Sequence, residues 1–302
     1  MPNLAVIDCG TNTFHLLIAS PKADGGFEEV YRERRFVKLA EEGIATIGAA
    51  AYQRAIRTLT DYASILREYE VADVRVSGTA AMRTASNGPA LQADVKAKTG
   101  LDIAIIPGKE EAQLIYQGVQ QAIGPQDNRW MVMDIGGGSV EFIIVDEQRV
   151  RWFESFPVGV AVLYKQLHQT EPISEAEIEL THLFLKAQLA PLQLALARYP
   201  THHLVGAAGT FDVIAKVLGA SKPTPYCHQV TLDGFQQLYQ RILKANREER
   251  HAMADIPDDR ADMIVVALIL VDLILEMASI HQLTVSNFSM KEGMLAQMMT
   301  NQ

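Results

Sequence analysis

The sequence predicts a mixed α/β protein of two lobes, each built on a mixed sheet flanked by helices. Its 302 residues are enough for two domains of ordinary size. Strand-like and helix-like segments alternate in the first third in the order β-β-β-α-β-α-β-α, which is typical of a mixed α/β domain. One design also occurs twice: an apolar run ending in Asp, a small-residue turn and a second apolar run. We expect the two copies to meet at a shared cleft.

The two copies of this design are AVIDCGTNTFHLLIA, from Ala5 to Ala19, and MVMDIGGGSVEFIIV, from Met131 to Val145. Each predicts two β-strands joined by a tight turn, because short apolar runs bracket residues that tolerate unusual backbone angles. Glycine and small hydroxyl residues let backbone N–H groups approach an anion closely, and an aspartate at each strand end can hold a cation against that anion. Phosphate and a divalent metal ion are therefore the expected ligands.

The other elements of the first lobe follow in chain order. Residues 49–70 place apolar side chains at helical spacing, so they predict a helix that packs on the sheet. A strand, a turn leading into a helix, another strand and a further helix are expected at 71–76, 77–88, 103–107 and 108–124. The polar stretch 125–129 indicates a linker, which gives lobes of 1–124 plus 288–302 and of 125–287.

The second lobe carries equally local signals. Ser174 and Glu177 form a capping-box pattern, which predicts one long helix running toward Ala197. HLVGAAGTFDVIAKVLG predicts a strand, a glycine turn and a helix, and LTVSNF predicts a late strand before a closing helix from Met290 that returns to the first lobe. The apolar run from Met263 contains two acidic residues and is too short for a clean membrane span, so it predicts a buried helix. That helix belongs either to the core or to a subunit contact.

Composition argues against several functional classes. A formal net charge of −9 disfavours binding to a nucleic-acid polymer. Two cysteines without a CxxC pair suggest neither a disulfide framework nor a thiolate zinc site, and they fit a reducing compartment. The first ten residues lack the basic and apolar pattern of a secretory signal. We therefore expect a cytoplasmic protein without a membrane partner.

Seven segments, in order, resemble the short form of the exopolyphosphatase/guanosine pentaphosphate phosphatase (Ppx/GppA) family, a branch of the actin/Hsp70/sugar-kinase superfamily. Two of them are the hairpins described above, and the others are VSGTAAMRTASNG, IPGKEEAQLIYQGV, FPVGVAVL, VGAAGTFD and SNFSMKEGML. The resemblance covers nearly the whole chain. It implies a two-lobed actin-like ATPase (ribonuclease H-like) fold with the active site in the cleft between the lobes.

The resemblance also implies roles for individual residues. Glu111, the second glutamate of GKEEA, matches the family's proposed catalytic base, which would orient and deprotonate water for phosphoryl transfer, and Glu110 is then a solvated neighbour. Asp134 and Glu141, on opposite sides of the second turn, and Asp8 in the first hairpin would bind Mg²⁺, with Mn²⁺ as an alternative. The expected phosphate contacts come from three turns and one arginine: Gly10, Thr11, Asn12, Thr13, Arg83, Gly136, Gly137, Gly138, Ser139, Gly209 and Thr210.

The implied activity is metal-dependent release of terminal orthophosphate from inorganic polyphosphate. The same chemistry on guanosine pentaphosphate is the near alternative, and a non-catalytic nucleotide or polyphosphate sensor and a sugar or acid kinase are the others. Two positions depart from the family pattern. Val140 stands where threonine often follows DIGGGS, and Lys291 stands where an arginine is usual. Lysine cannot make the bidentate phosphate contact of arginine, so phosphate affinity at that edge is expected to differ.

Three further features leave alternatives open. The basic residues Arg32, Arg34, Arg35 and Lys38 either steer an anionic chain or lie on a solvated strand face. His15, within the first hairpin, either faces the cleft or is a packed side chain. A homodimer remains among the expected partners, together with polyphosphate or guanosine pentaphosphate.

Overall fold

The computed structural model describes residues 2–23 and 25–300, and these form two compact units. One unit contains the chain up to Gly118 together with the residues from Met290 onward, and the other is Val119–Ser289. Each unit is built on one mixed β-sheet, so the predicted α/β class with mixed sheets flanked by helices is confirmed. No helix of the described ranges is long and apolar enough to cross a membrane.

The first unit has a five-stranded sheet. Its strands are β1 (Leu4–Cys9), β2 (Thr13–Pro21), β3 (Phe27–Phe36), β4 (Asp73–Gly78) and β5 (Ile103–Ile105), and they lie in the order β3-β2-β1-β4-β5. The β1–β2 pair is antiparallel, as the hairpin prediction requires, whereas β4 runs parallel to β1 and β5 parallel to β4. The apolar residues of β1 and β2 are fully buried, so this hairpin forms the centre of the sheet.

Helices pack on this sheet where the apolar spacing predicts them. They are α1 (Ala49–Glu68), α2 (Ala80–Thr84), α3 (Gly88–Thr99) and α4 (Gly108–Ile123). Along α1, Leu59, Tyr62 and Leu66 all face the core, because residues three and four apart share a helix face. Helix α3 ends at Gly100, whose φ of 79° is the left-handed conformation that glycine adopts without strain.

The second unit has a seven-stranded sheet. Its strands are β6 (Trp130–Ile135), β7 (Val140–Asp146), β8 (Arg149–Phe156), β9 (His203–Ala207), β10 (Ser221–Thr224), β11 (Cys227–Val230) and β12 (Gln282–Ser286), in the order β10-β11-β12-β9-β6-β7-β8. The second predicted hairpin is confirmed as the antiparallel β6–β7 pair. The three central strands, β12, β9 and β6, are parallel, so their carboxyl ends lie at the same edge of the sheet.

Eight helices lie between β8 and β12 in the described part of the chain. They are α5 (Val160–Leu167), α6 (Glu175–Gln188), α7 (Ala190–Arg198), α8 (Gly209–Val217), α9 (Leu232–Lys244), α10 (Arg247–Ala252), α11 (Asp258–Ala261) and α12 (Ile264–Met277). The predicted capping box is confirmed at the start of α6, where Ser174 and Glu177 bond reciprocally. The prediction of one long helix to Ala197 is wrong, because the helix breaks at Leu189 and Pro191 then lies in the first turn of α7, where its missing N–H is tolerated.

Helix α12 resolves the alternative left open for the apolar run. Eleven of its fourteen residues are buried, so it lies in the hydrophobic core of the second unit. The core alternative is therefore confirmed, and the alternative prediction that this helix forms a subunit contact is wrong. Its two acidic residues reach the helix surface: Glu276 is exposed, and Asp272 is half-buried and accepts a hydrogen bond from Gln236.

The closing helix, α13 (Met290–Thr300), belongs to the first unit and packs against β1. Gly293 lets it approach α4 closely: a Cβ atom built on Gly293 would lie 1.9 Å from the carbonyl oxygen of Leu114. Polar contacts support the same arrangement. Gln297 donates to Gln117 at 2.8 Å and accepts from Arg75 at 2.6 Å.

Candidate active site

The turn between β1 and β2 is closed by its own backbone. The N–H of Gly10 donates to the carbonyl oxygen of Thr13 at 3.1 Å, and a Cβ atom on Gly10 would lie 2.9 Å from that oxygen. Only glycine therefore fits at this position without moving the turn. Thr11 and Thr13 are buried, while Asp8 lies at the end of β1, half-buried.

The carbonyl groups of this first turn are turned toward the segment that follows β3. Leu39 N–H donates to the Thr11 oxygen at 2.8 Å, and the N–H groups of Val37 and Lys38 donate to the Asn12 oxygen at 3.0 and 2.9 Å. In a trans peptide the N–H points opposite to the C=O of the same plane. The N–H groups of Asn12 and Thr13 are therefore directed away from residues 37–39.

The turn between β6 and β7 repeats this construction. Gly136 N–H donates to the carbonyl oxygen of Ser139 at 2.9 Å, which matches the Gly10–Thr13 contact of the first turn. The carbonyls of its three glycines accept hydrogen bonds from the N-terminus of α5. These bonds run from Val160 to Gly136, from Ala161 to Gly137 and from Gly159 to Gly138, at 3.0, 2.9 and 3.3 Å.

Because each of these carbonyls shares a peptide plane with the N–H of the next residue, the hydrogen bonds also fix the direction of those N–H groups. The N–H groups of Gly137, Gly138 and Ser139 point away from α5, in a row of three successive residues. Successive backbone N–H groups in a turn form a concave site that binds anions. The second turn therefore has the backbone geometry of a phosphate loop, and the first turn shares two of its features, the glycine closure and the anchored carbonyls.

Two carboxylates stand beside the second turn. Asp134 and Glu141 are direct partners in the antiparallel β6–β7 register, so their side chains project from the same face. Glu141 is only 3% exposed, and its Oε1 accepts hydrogen bonds from Ser139 and Ser155 at 2.6 Å each. Asp134 accepts a hydrogen bond from the hydroxyl of Ser289. Hydroxyl donors therefore hold both carboxylates in fixed orientations.

A third turn lies at the same sheet edge. Asp134 on β6, Ala207 on β9 and Ser286 on β12 are in register across the three parallel strands. The turn after β9 begins α8 at Gly209, whose φ is 52°, and Thr210 is buried there. Ligands of open α/β sheets bind outside the carboxyl ends of the strands. The predicted phosphate residues of the second unit are thus brought together at one edge.

Glu111 lies in the first turn of α4, in the first unit. It is 6% exposed, and Arg83 Nη1 donates to its Oε2 at 3.0 Å. The same Nη1 donates to the carbonyl oxygen of Ile106 at 2.8 Å, so the guanidinium is anchored on both sides of the start of α4. The predicted phosphate contact of Arg83 stays a prediction, because its observed partners are Glu111 and Ile106.

Glu110 differs from its neighbour. Its side chain is 43% exposed, as expected for a solvated neighbour, and it forms an ion pair with Arg75 at 2.8 Å. A buried carboxylate and a surface ion pair thus occupy adjacent positions of one helix.

The basic residues of β3 favour the strand-face alternative. Arg32 contacts Glu29 at 2.7 Å and the fully buried Glu292 at 3.0 Å, and Arg35 contacts Glu33 at 2.8 Å. Carboxylates therefore compensate the charges of Arg32 and Arg35. His15 is half-buried and stands in register with Asp8 on the neighbouring strand, and Lys291 is buried at the start of α13.

The donor set beside the second turn fits a magnesium ion. Mg²⁺ keeps several waters and is bound through one or two carboxylates together with substrate phosphates, rather than by an all-protein cage. Over residues 2–23 and 25–300 no group of three or more His, Cys, Asp or Glu side chains could hold a metal ion. The Asp134–Glu141 pair offers the two-carboxylate arrangement, with both side chains on one face.

Ser155, Ser289 and the anchoring segments 37–39 and 159–161 were not found by sequence reasoning. Ser155 lies fourteen residues beyond Glu141, and only the β7–β8 register places the two residues opposite each other. FPVGVAVL, which contains residues 159–161, was recognised as a matching segment, but its role as the anchor of the second turn follows only from the backbone hydrogen bonds.

Comparison with known proteins identifies the family. The Ppx/GppA phosphatase family matches residues 17–302. The chain belongs to this family. Exopolyphosphatase 2 of Mycobacterium tuberculosis (strain CDC 1551 / Oshkosh) is 31% identical over 314 residues, covering 97% of this chain and 97% of the relative. A guanosine-5'-triphosphate,3'-diphosphate pyrophosphatase of Photobacterium profundum is 27% identical and covers 99% of this chain, which spans 60% of that protein.

Solved structures of Ppx/GppA proteins share the fold. The crystal structure of an exopolyphosphatase from Cytophaga hutchinsonii has a TM-score of 0.94 at 36% identity and covers 99% of this chain and 98% of its own. The Aquifex aeolicus family member has a TM-score of 0.84 at 24% identity, covering 99% of this chain and 98% of its own, and it supports the fold alone. The predicted fold class, mixed sheets flanked by helices, is therefore the one that these Ppx/GppA structures share.

Proposed function

We propose that this Ppx/GppA protein hydrolyses phosphoanhydrides and releases orthophosphate from the end of inorganic polyphosphate. The observation that carries the proposal is the second turn, where three glycine carbonyls are anchored and the N–H groups of the following peptide planes point the other way. Two relatives that match nearly the whole chain, at 31% and 36% identity, carry exopolyphosphatase names. A polyanionic substrate is the ligand class that such amide-lined turns bind.

Glu111 supplies the base in this proposal. Phosphoryl transfer passes through a loose transition state, so it needs a group that orients and deprotonates water and little covalent chemistry from the protein. A carboxylate that is 6% exposed and hydrogen-bonded to Arg83 is held in one rotamer, as a base that must align water requires. Arg83 acts through Glu111 as a positioning residue and gains a phosphate contact when substrate binds.

The two turns bind the phosphate oxygens, and the carboxylates bind the cation. Backbone N–H groups of Asn12, Thr13 and residues 137–139 donate to nonbridging oxygens, and Thr210 adds a hydroxyl at the neighbouring turn. Asp134 and Glu141 would hold Mg²⁺, because they form the two-carboxylate pair on one face of the β6–β7 hairpin. When bound, the ion neutralises charge that develops on the phosphate oxygens.

The experiment compares phosphate release from polyphosphate by the wild type, Glu111→Gln and Glu110→Gln. Loss of a positioned base lowers the rate by roughly 10²- to 10⁴-fold, so we expect that loss for Glu111→Gln. Glu110→Gln is the matched control, because it removes the same charge one residue away and breaks a surface ion pair with Arg75. Equal rates for all three proteins would remove Glu111 as the base. Chelation of divalent ions, followed by addition of Mg²⁺ or Mn²⁺, tests the cofactor.

Guanosine pentaphosphate is the second candidate substrate. It is favoured by the Photobacterium relative, whose name specifies guanosine-5'-triphosphate,3'-diphosphate and which matches 99% of this chain at 27% identity. Phosphate release is measured from polyphosphates of several lengths and from guanosine pentaphosphate under the same conditions. A higher kcat/KM for the nucleotide than for every polyphosphate would replace the first substrate by the second and leave the proposed chemistry unchanged.

A further inference from the structure

Helix α6 presents an apolar row to solvent. Leu180 and Leu183 are 52% and 67% exposed. Ala176 and Ala187 are exposed as well, so the row has spacings of four, three and four residues. These spacings total eleven residues over three steps, about 3.7 residues each, which is close to the 3.6 residues of one helical turn, so the four side chains form one stripe along the helix.

The row is separate from the face that α6 buries within its own unit. Thr181 and Leu185 are fully buried, and they lie on the side that contacts α12. An ordinary surface helix has one apolar stripe and a polar opposite face. Helix α6 therefore has two apolar faces, of which the fold covers one.

Two charged residues flank the leucines on one side of the row. Glu179 precedes Leu180 by one position, and Lys186 follows Leu183 by three, so the two lie seven residues apart, about two helical turns, on the same side of the row. Both are exposed, and across the described residues neither forms an ion pair. Their signs are opposite, so the row is self-complementary when it is inverted against itself.

We propose that α6 pairs with α6 of a second copy of this chain in an antiparallel dimer, with the two-fold axis between Leu180 and Leu183. Each Leu180 then packs against the partner's Leu183, and each Ala176 against the partner's Ala187. Each Glu179 meets the partner's Lys186. Because the interface is isologous, the two-fold axis repeats every one of these contacts, so each occurs twice in the dimer.

The size of the contact determines the expected strength. Helix α6 has 14 residues and is therefore about 21 Å long. A single helix pair of this length falls at the small end of specific interfaces, where association is weak. We expect a monomer–dimer equilibrium that depends on protein concentration, measurable by sedimentation over a concentration series.

Leu183→Ser is the first test variant. Burial of one leucine contributes roughly a tenfold factor or more in association, and the two-fold axis removes two leucines at once, so the dimer should weaken about a hundredfold. Leu194→Ser is the control. Leu194 is more exposed, at 74%, but it lies on α7, beyond the partner's helix in this register. It should dimerise like the wild type, and thermal unfolding checks that both variants are folded.

Charge exchange tests the antiparallel orientation. Glu179→Lys and Lys186→Glu each place like charges opposite each other, so each variant alone should dimerise several-fold less tightly than the wild type at low salt. An equimolar mixture of the two should restore dimers, because every mixed pair again joins opposite charges. A wild type that stays monomeric over the whole series, a Leu183→Ser variant equal to the wild type, or a mixture no tighter than its components would overturn the proposal.

Discussion

Substitution of Gly159 by alanine tests whether the anchor of the second turn shapes the candidate site. A Cβ atom at this position would lie 2.5 Å from three backbone atoms, the carbon and oxygen of Gly137 and the carbon of Gly138. Nonbonded carbon contacts are comfortable at about 3.5 Å, so the turn must move by about 1 Å. The backbone of Gly159 has a φ of −62°, which suits alanine, so crowding of the turn is the main effect.

The displacement should affect stability and activity to different degrees. Overpacking of a well-packed site costs about 1–3 kcal/mol of unfolding free energy. A shift of about 1 Å in a group that positions the substrate can cost about a hundredfold in rate. We therefore expect Gly159→Ala to unfold at lower urea concentration while remaining folded at 25 °C, with kcat/KM for phosphate release reduced about a hundredfold.

Gly234→Ala supplies the matched control in the same unit. Its Cβ atom would lie 2.7 Å from the hydroxyl of Thr231, a movable side-chain atom, and otherwise make ordinary contacts with Leu218. Stability should fall modestly, because Thr231 caps α9, and phosphate release should be unchanged. A Gly159→Ala protein that loses stability but keeps the wild-type rate would refute the assignment of the second turn to substrate binding.

Three further predictions concern other parts of the chain. Gly293→Ala should lower the unfolding free energy by about 1–3 kcal/mol in urea titrations, because its Cβ atom would meet the backbone oxygen of Leu114 at 1.9 Å. Burial lowers the pKa of His203 to about 4 from its ordinary value of 6.5. As pH falls from 6.5 to 4, the unfolded chain therefore takes up a proton at this residue while the folded protein does not. The free energy of unfolding should decrease by up to about 3 kcal/mol over this range. The loss between pH 7 and pH 5 should be smaller in His203→Gln. Ser155→Ala removes one of two hydroxyl donors to Glu141, so the Mg²⁺ concentration for half-maximal phosphate release should rise, and Ser155→Thr should restore it.

Elements with local causes were predicted well from the sequence. The two hairpins follow from short apolar runs around small-residue turns, and the start of α6 follows from the Ser174–Glu177 capping box. The break at Leu189 had a local cause too, because Pro191 has no N–H to donate inside a continuous helix and is tolerated in a first turn, yet the apolar spacing on both sides concealed it. Strand β10 has the polar sequence SKPT and no strand signal, since only its pairing with β11 makes it a strand.

The residues of the candidate site could likewise be predicted where they lie in local motifs and could not be predicted where they depend on long-range contacts. Glu111 and the turn glycines lie in contiguous motifs, so the family resemblance selected them directly. The donors that orient the carboxylates lie far away in the sequence: Ser155 meets Glu141 through the β7–β8 register, and Ser289 meets Asp134 across 155 residues. Single serines carry no signal of their own, because a hydroxyl becomes informative only when the fold gives it a partner.

The two hairpins are alike in backbone and unlike in chemistry. Both close with a glycine N–H on the carbonyl three residues later, and both have their turn carbonyls anchored by a later segment. Across the strands, however, Asp134 is paired with Glu141, whereas Asp8 is paired with His15. Two facing carboxylates attract a divalent cation far more strongly than a carboxylate beside an imidazole, which is at best a neutral partner. The proposed cation therefore belongs to the second hairpin, where two carboxylates face each other.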